Sequence, residues 1–171
     1  MGTLEALSLA MGTAWASGIN LYATVATLGI AGRAEMIKLP PDLQVLMHPA
    51  VIAVACIMYV IEFFADKIPA FDLIWNALHT FVRVPVAALL AYGAAAHLPP
   101  AAQVISAVAG GTIALAAHGG KIAARAAVTP SPEPFSNMAL SVGEDVIAVG
   151  ISYLALQHPV IASVVAIALP L

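Results

Sequence analysis

The chain has 171 residues, 62% of them hydrophobic and 9% charged, with a formal charge of −3 and a mean hydropathy of +0.99. Soluble domains carry about 25% charged residues, so this composition excludes a water-exposed globule and assigns residues 1–171 to one integral membrane domain. So small a net charge offers no footprint for nucleic acid, and Cys56, the only cysteine, has no disulfide partner and reads as a small buried hydrophobe.

A hydrocarbon core of about 30 Å takes about 20 helical residues per span. The expected fold is therefore all-α, a polytopic transmembrane bundle of five to six segments. The first segment covers 4–32. Ala14-Trp15-Ala16 has the small-x-small look of an export cleavage site, but no Lys or Arg precedes Arg33, so the basic region of a signal peptide is missing and a retained helix is expected. Thr13, Ser17, Asn20, Thr24 and Thr27 step by four, three, four and three, which puts a polar stripe on one helix face. Gly18, inside that stripe, marks an expected kink or broken helix.

Residues 33–44 form a loop with the breaker pair Pro40-Pro41. A second span over 48–65 ends with Glu62 and Asp66 on one face and Lys67 beside them. From 72 to 96 the chain reads as one helix with a kink at Pro85. It carries a second stripe of Asp72, Asn76, His79 and Arg83. At 1.5 Å per residue, Arg83 lies about 16 Å along the helix from Asp72. A charge that deep in a bilayer costs at least about 2.5 kcal/mol and needs a partner.

The fourth segment, 101–127, has small residues at four-residue steps, Ala107/Gly111 and Ala116/Gly120/Ala124, a spacing that lets helices approach closely. Its end carries His118, Lys121 and Arg125 on one face. The proline-rich run 129–134 cannot be regular helix, and Ser136 or Asn137 is an N-cap for the next helix. That helix, to 157, bears Asn137, Ser141 and Glu144 on one face with Asp145 beside them. The last segment, 159–171, would reach only about 20 Å, short of a full crossing.

An offset of 61 residues sets Pro69, Asn76, Tyr92 and His97 against Pro130, Asn137, Tyr153 and His158. Such internal repeats carry sites at their interface in transporters. The same offset sets Arg83 against Glu144, from which a buried Arg83–Glu144 pair is expected. Counting spans puts Lys67, Lys121 and Arg125 on one side and Arg33 and Lys38 on the other, so the basic excess would face the cytoplasm.

Ser17-Gly18-Ile19-Asn20-Leu21-Tyr22, the run 62–69 (EFFADKIP) leading to His79-Thr80-Phe81-Val82-Arg83, and 131–137 (SPEPFSN) resemble motifs of a family of small bacterial inner-membrane proteins catalogued as a domain of unknown function. The resemblance covers almost the whole chain. It implies a multi-pass helical protein of the cell inner membrane and supplies no reaction.

The chemistry-bearing residues are Glu62, Asp66, Lys67, Asp72, Arg83, Lys121, Arg125, Glu133, Glu144 and Asp145, with Asn20, Asn137, His79 and His118. Read as one intramembrane constellation, they point to transport. Arg83, Lys121 and Arg125 would attract a small anion or a lipid phosphate, Glu144, Asp145 and His118 would couple protons, and Asn20 would line the route. Six carboxylates against four bases keep a cation open. Two other functions compete: ion pairs that only hold the bundle, and a metal-dependent intramembrane enzyme using His79 and His118 with carboxylates, although no HExxH is present. Gly110-Gly111 and Gly119-Gly120 lack nucleotide-loop spacing, so any transport would be driven by gradients or be passive, and no cofactor is expected. The expected partners are the lipid bilayer, a small ion or lipid-phosphate ligand, and a second copy of the chain, with no nucleic acid.

Overall fold

The computed structural model describes residues 2–128 and 135–169. Every regular element among them is helical. In chain order these are α1 (Thr3–Ile19), α2 (Leu21–Arg33), a 3-10 helix (Pro41–Met47), α3 (Pro49–Ala65), α4 (Pro69–Ala94), α5 (Pro100–Val128), α6 (Phe135–Gln157) and α7 (Pro159–Ala168). Five of these helices, the 3-10 helix among them, start on a proline. Its fixed φ suits the first helical turn, where its missing N–H costs no hydrogen bond.

Helix α1 is the axis of the bundle and packs against α4, α5, α6 and α7. Its sequence explains the position: from Ala6 to Ile19 it is built mainly of Ala, Gly, Ser and Thr, so neighbours approach from several sides and nearly the whole length is buried. Helix α2 continues from it and packs on α3, α6 and the 3-10 helix. Helices α4 and α5, joined by the short link 95–99, pack along one another.

The distribution of side chains inverts that of a soluble protein. Glu62, Arg83, Asn20, His118 and Lys121 are buried, while Phe81 is 82% exposed and Phe135 75% exposed. Helices covering Ile74–Ala94, Pro100–Val128 and Phe135–Gln157 are each long and apolar enough to cross a membrane. The 3-10 helix and α3, bent by 67° at their junction, make a fourth span if taken together. This is a multi-pass helical membrane architecture. The ten-residue α7 is too short to cross alone.

The first segment is broken into two helices. The break falls at Asn20, whose backbone is extended (φ −146°, ψ 101°), and not at Gly18. Gly18 serves contact instead: a Cβ there would collide with Ala114 O and lie 2.8 Å from Ala117 Cβ, so its absence lets α1 and α5 touch. Gly110 plays the same part against Ala91 of α4. The tightest approach of α5 therefore runs through Gly110, Ala114 and Ala117, whereas Ala116 is exposed. Pro130, which the 61-residue offset sets against the start of α4, lies outside the described residues, as do Glu133 and most of 131–137.

Candidate functional site

The break at Asn20 frees backbone groups that a continuous helix would bind to itself. Asn20 satisfies several of them: its N–H donates to Ala16 O at 2.9 Å, closing α1, and its Oδ1 accepts from Ala23 N at 2.9 Å, capping α2. Its Nδ2 donates to Asp145 Oδ1 of α6 at 2.9 Å. The carbonyl of Ile19 instead receives two cationic side chains, Arg83 Nη1 at 3.2 Å and Lys121 Nζ at 3.3 Å. A carbonyl at the negative end of α1 suits cations.

Around that carbonyl, acids and bases alternate. Asp72, at the start of α4, lies 3.8 Å from Arg125 Nη1. Arg125 donates to Asp66 O at 2.6 Å and Asp66 Oδ2 at 3.0 Å, and through Nε and Nη2 to both oxygens of Glu144, at 3.2 and 2.5 Å. Lys121 Nζ then sits 3.0 Å from Asp66 Oδ2, 3.3 Å from Glu62 Oε1 and 3.5 Å from Glu144 Oε2. Arg83 closes the row on Glu62. Its Nη1 also donates to His118 Nδ1 at 3.0 Å. An arginine can only donate, so His118 Nδ1 is an acceptor and the ring hydrogen is on Nε2, facing Thr80 Oγ1 at 2.8 Å and Asn76 O at 3.1 Å. The row thus runs from the ends of α3, α4 and α5 inward to the break in α1–α2.

Inside this row, Glu62, Asp66 and Glu144 balance Arg83, Lys121 and Arg125. Asp72 and Asp145 are held chiefly by amides, Asn76 Nδ2 reaching Asp72 Oδ1 at 2.6 Å as Asn20 reaches Asp145. Asp66 and Asp72 lie beyond the spanning segments, and their environments push them apart. Burial raises Asp66, but the Lys121 and Arg125 charges outweigh it and hold the carboxyl below its usual range. Burial drives Asp72 up to about 6, against Arg125 and with the help of the Asp66 charge.

Eleven of the thirteen expected site residues are buried, and ten of them (Asn20, Glu62, Asp66, Asp72, Arg83, His118, Lys121, Arg125, Glu144 and, through Asn20, Asp145) form these contacts. The pairing expected from the repeat is corrected. Arg83 meets Glu62, whereas Glu144 meets Arg125 and Lys121, and Lys121 links the two pairs. His118, expected to couple protons, joins the row through Nδ1, which accepts from Arg83. His79 stands apart from the row, stacked on Trp75 at 4.0 Å and bonded to Trp75 O and Tyr22 OH. Lys67 folds back onto its own turn, donating to Phe63 O at 2.8 Å and lying over the Phe63 ring. Asn137 is half-buried in the first turn of α6 and joins the row through no hydrogen bond or ion pair among the described residues. No three His, Cys, Asp or Glu side chains gather as metal ligands among the described residues.

Lys121 and Arg125 are also removed from the orientation count. Both are buried and ion-paired, and so cannot serve as the flanking basic residues on which that rule rests. Sequence reasoning missed the Ile19 carbonyl, Thr80 and Tyr22. Backbone acceptors carry no side-chain signal, and the other two fall off the counted stripe or sit beside Asn20 without a periodic mark.

A family profile described as a domain of unknown function, DUF4126, matches residues 7–171. The chain belongs to the DUF4126 family. Neither curated proteins nor solved structures give a match. The DUF4126 profile spans all seven α-helices from within α1 onward, and so includes every residue of the ionic row.

Proposed function

We propose that this chain is a membrane transporter that passes a small cation along the row of buried charges, driven by a gradient. The observation that carries the reading is the row itself, acids and bases alternating from helix ends to a broken helix inside the bundle. Buried ion pairs stabilise less than apolar packing does, and ionisable residues within membrane spans are by default functional. Broken helices that aim carbonyls at a cation are a transporter device. A cation is favoured over the small anion or lipid phosphate, because Arg83, Lys121 and Arg125 are already engaged by carboxylates, whereas Asp72 and Asp145 are held chiefly by asparagines. The setting under this proposal is the cell inner membrane.

The test is flux in liposomes carrying the purified protein, with Na⁺, K⁺, NH₄⁺ or phosphate gradients and a potential-sensitive dye. A cation gradient is expected to collapse faster than in empty vesicles, and Glu62→Gln to abolish the difference while remaining folded. Vesicles tight to every cation, or a flux that follows phosphate alone, would overturn the proposal. A structural role is the second reading, favoured by the equal count of three acids and three bases in the inner row. Under it, replacing Arg83 and Glu62 together by apolar residues would leave cell growth and folding unchanged.

A further inference from the structure

Lys121 is not held by one partner. Its Nζ is enclosed by Ile19 O, Glu62 Oε1, Asp66 Oδ2 and Glu144 Oε2 at 3.3, 3.3, 3.0 and 3.5 Å, oxygens from α1, α3, the end of α3 and α6. An ammonium has three N–H donors, and Ile19, Glu62 and Asp66 take them, so the Glu144 oxygen is in excess. Among the described residues, Glu62 Oε2 and Asp66 Oδ1, both buried, receive no hydrogen bond. The cage thus offers more oxygen than its occupant uses.

Each of the four cage oxygens has a second fastening. Arg83 holds Ile19 O and Glu62 Oε1; Arg125 holds Asp66 Oδ2 and Glu144 Oε2. The two planar guanidiniums therefore brace the cage from either side. The lysine, a compact charge on a flexible stem, can leave without dissolving it. The charge count then selects the replacement: three carboxylates and two guanidiniums sum to −1 (−3 + 2), which one monovalent cation restores to zero and a divalent ion would overshoot. Spacing agrees, because 3.0–3.5 Å from the centre is wider than the roughly 2.0–2.6 Å at which Mg²⁺ and Ca²⁺ hold oxygen.

We propose that Lys121 is a tethered occupant of a monovalent-cation site formed by Ile19 O, Glu62, Asp66 and Glu144, and that a free alkali or ammonium ion competes with it for that place. This deepens the transport reading and rests on it for the identity of the moving species, but the site itself is tested by binding alone. Lys121→Ala, purified in detergent, is heated in NaCl, KCl or NH₄Cl, with choline chloride at equal ionic strength as the control. The variant is expected to gain thermal stability saturably with at least one small cation and not with choline, at a half-saturating concentration roughly tenfold or more below that of the unaltered protein, where Lys121 competes. Lys121→Met, which keeps much of the stem's volume, serves as the second variant with the same readout. A response to small cations no greater than to choline overturns the inference, as does failure to recover either variant folded in any of these salts, because the incoming ion should restore the balance Lys121 supplies. Cation-specific stabilisation without flux in vesicles would sink the transport reading alone, and flux without such stabilisation would sink the cage alone.

Discussion

Asn20 does the work of three residues: it ends one helix, begins the next and supplies the amide that Asp145 accepts. Removing an N-cap costs about 0.5–2 kcal/mol, and leaving a buried acceptor unsatisfied costs about 1–3 kcal/mol more. Asn20→Ala should therefore lower the unfolding midpoint in detergent well beyond Thr27→Ala, a change on the same stripe but clear of the row. A midpoint within error of that control would show that the break does not depend on the asparagine. Asp72 gives a pH prediction. Its carboxyl is faced by Arg125 from α5, by Asp66 and Lys121, and by Asn76 on its own helix, and is raised from 3.8 to about 6. The folded protein thus holds this proton more tightly than the unfolded chain, so the contribution to stability is complete below pH 3.8 and is lost as pH rises through about 6. Asp66, lowered, acts in the opposite sense, its contribution being lost as pH falls below the carboxylate range. Asp72→Asn should flatten the decline in stability between about pH 4 and pH 7 and spare the acid limb. An unchanged profile across that window would assign the decline to another group.

The contact between α1 and α5 shows how an element made of small side chains can hold a row of large charged ones. With Gly18 against Ala114 and Ala117, the two backbones come close enough for Lys121, one turn further along α5, to reach the Ile19 carbonyl. Gly18→Ala inserts a methyl where no room exists, and overpacking of this kind costs about 1–3 kcal/mol. Gly119→Ala on the same helix, where a Cβ would meet nothing within 4 Å, should cost nothing and gain slightly in helix propensity. Thermal unfolding of the two variants side by side checks the pair. Equal midpoints would mean that α1 and α5 are less closely apposed than described.

Across the whole bundle, the ionic row connects residues from α1, α3, α4, α5 and α6, so damage to one charge should be felt more than the loss of a matched pair. Arg83→Leu or Glu62→Leu alone leaves an uncompensated buried charge, a defect of about 3–5 kcal/mol. The double variant leaves Lys121 on Asp66 and Glu144 and should recover much of that loss. A double variant as unstable as the sum of the singles would exclude coupling between the two side chains.

Much of this was legible in the chain. The polar stripes Asp72/Asn76/His79/Arg83 and His118/Lys121/Arg125 follow from helical periodicity, which the backbone sets within a few residues, and composition alone requires such charges to turn inward from lipid. Depth followed too, since the rise per residue is constant and carries Arg83 well into the bundle. What the stripes could not say is which acid meets which base. That depends on the azimuth and crossing of helices distant in sequence, set here by where Gly18, Gly110 and their alanine neighbours let backbones touch. Arg83 therefore turned to Glu62 and not to Glu144, Lys67 and His79 turned away from the row, and a backbone carbonyl exposed by the break at Asn20 took a place among the charges.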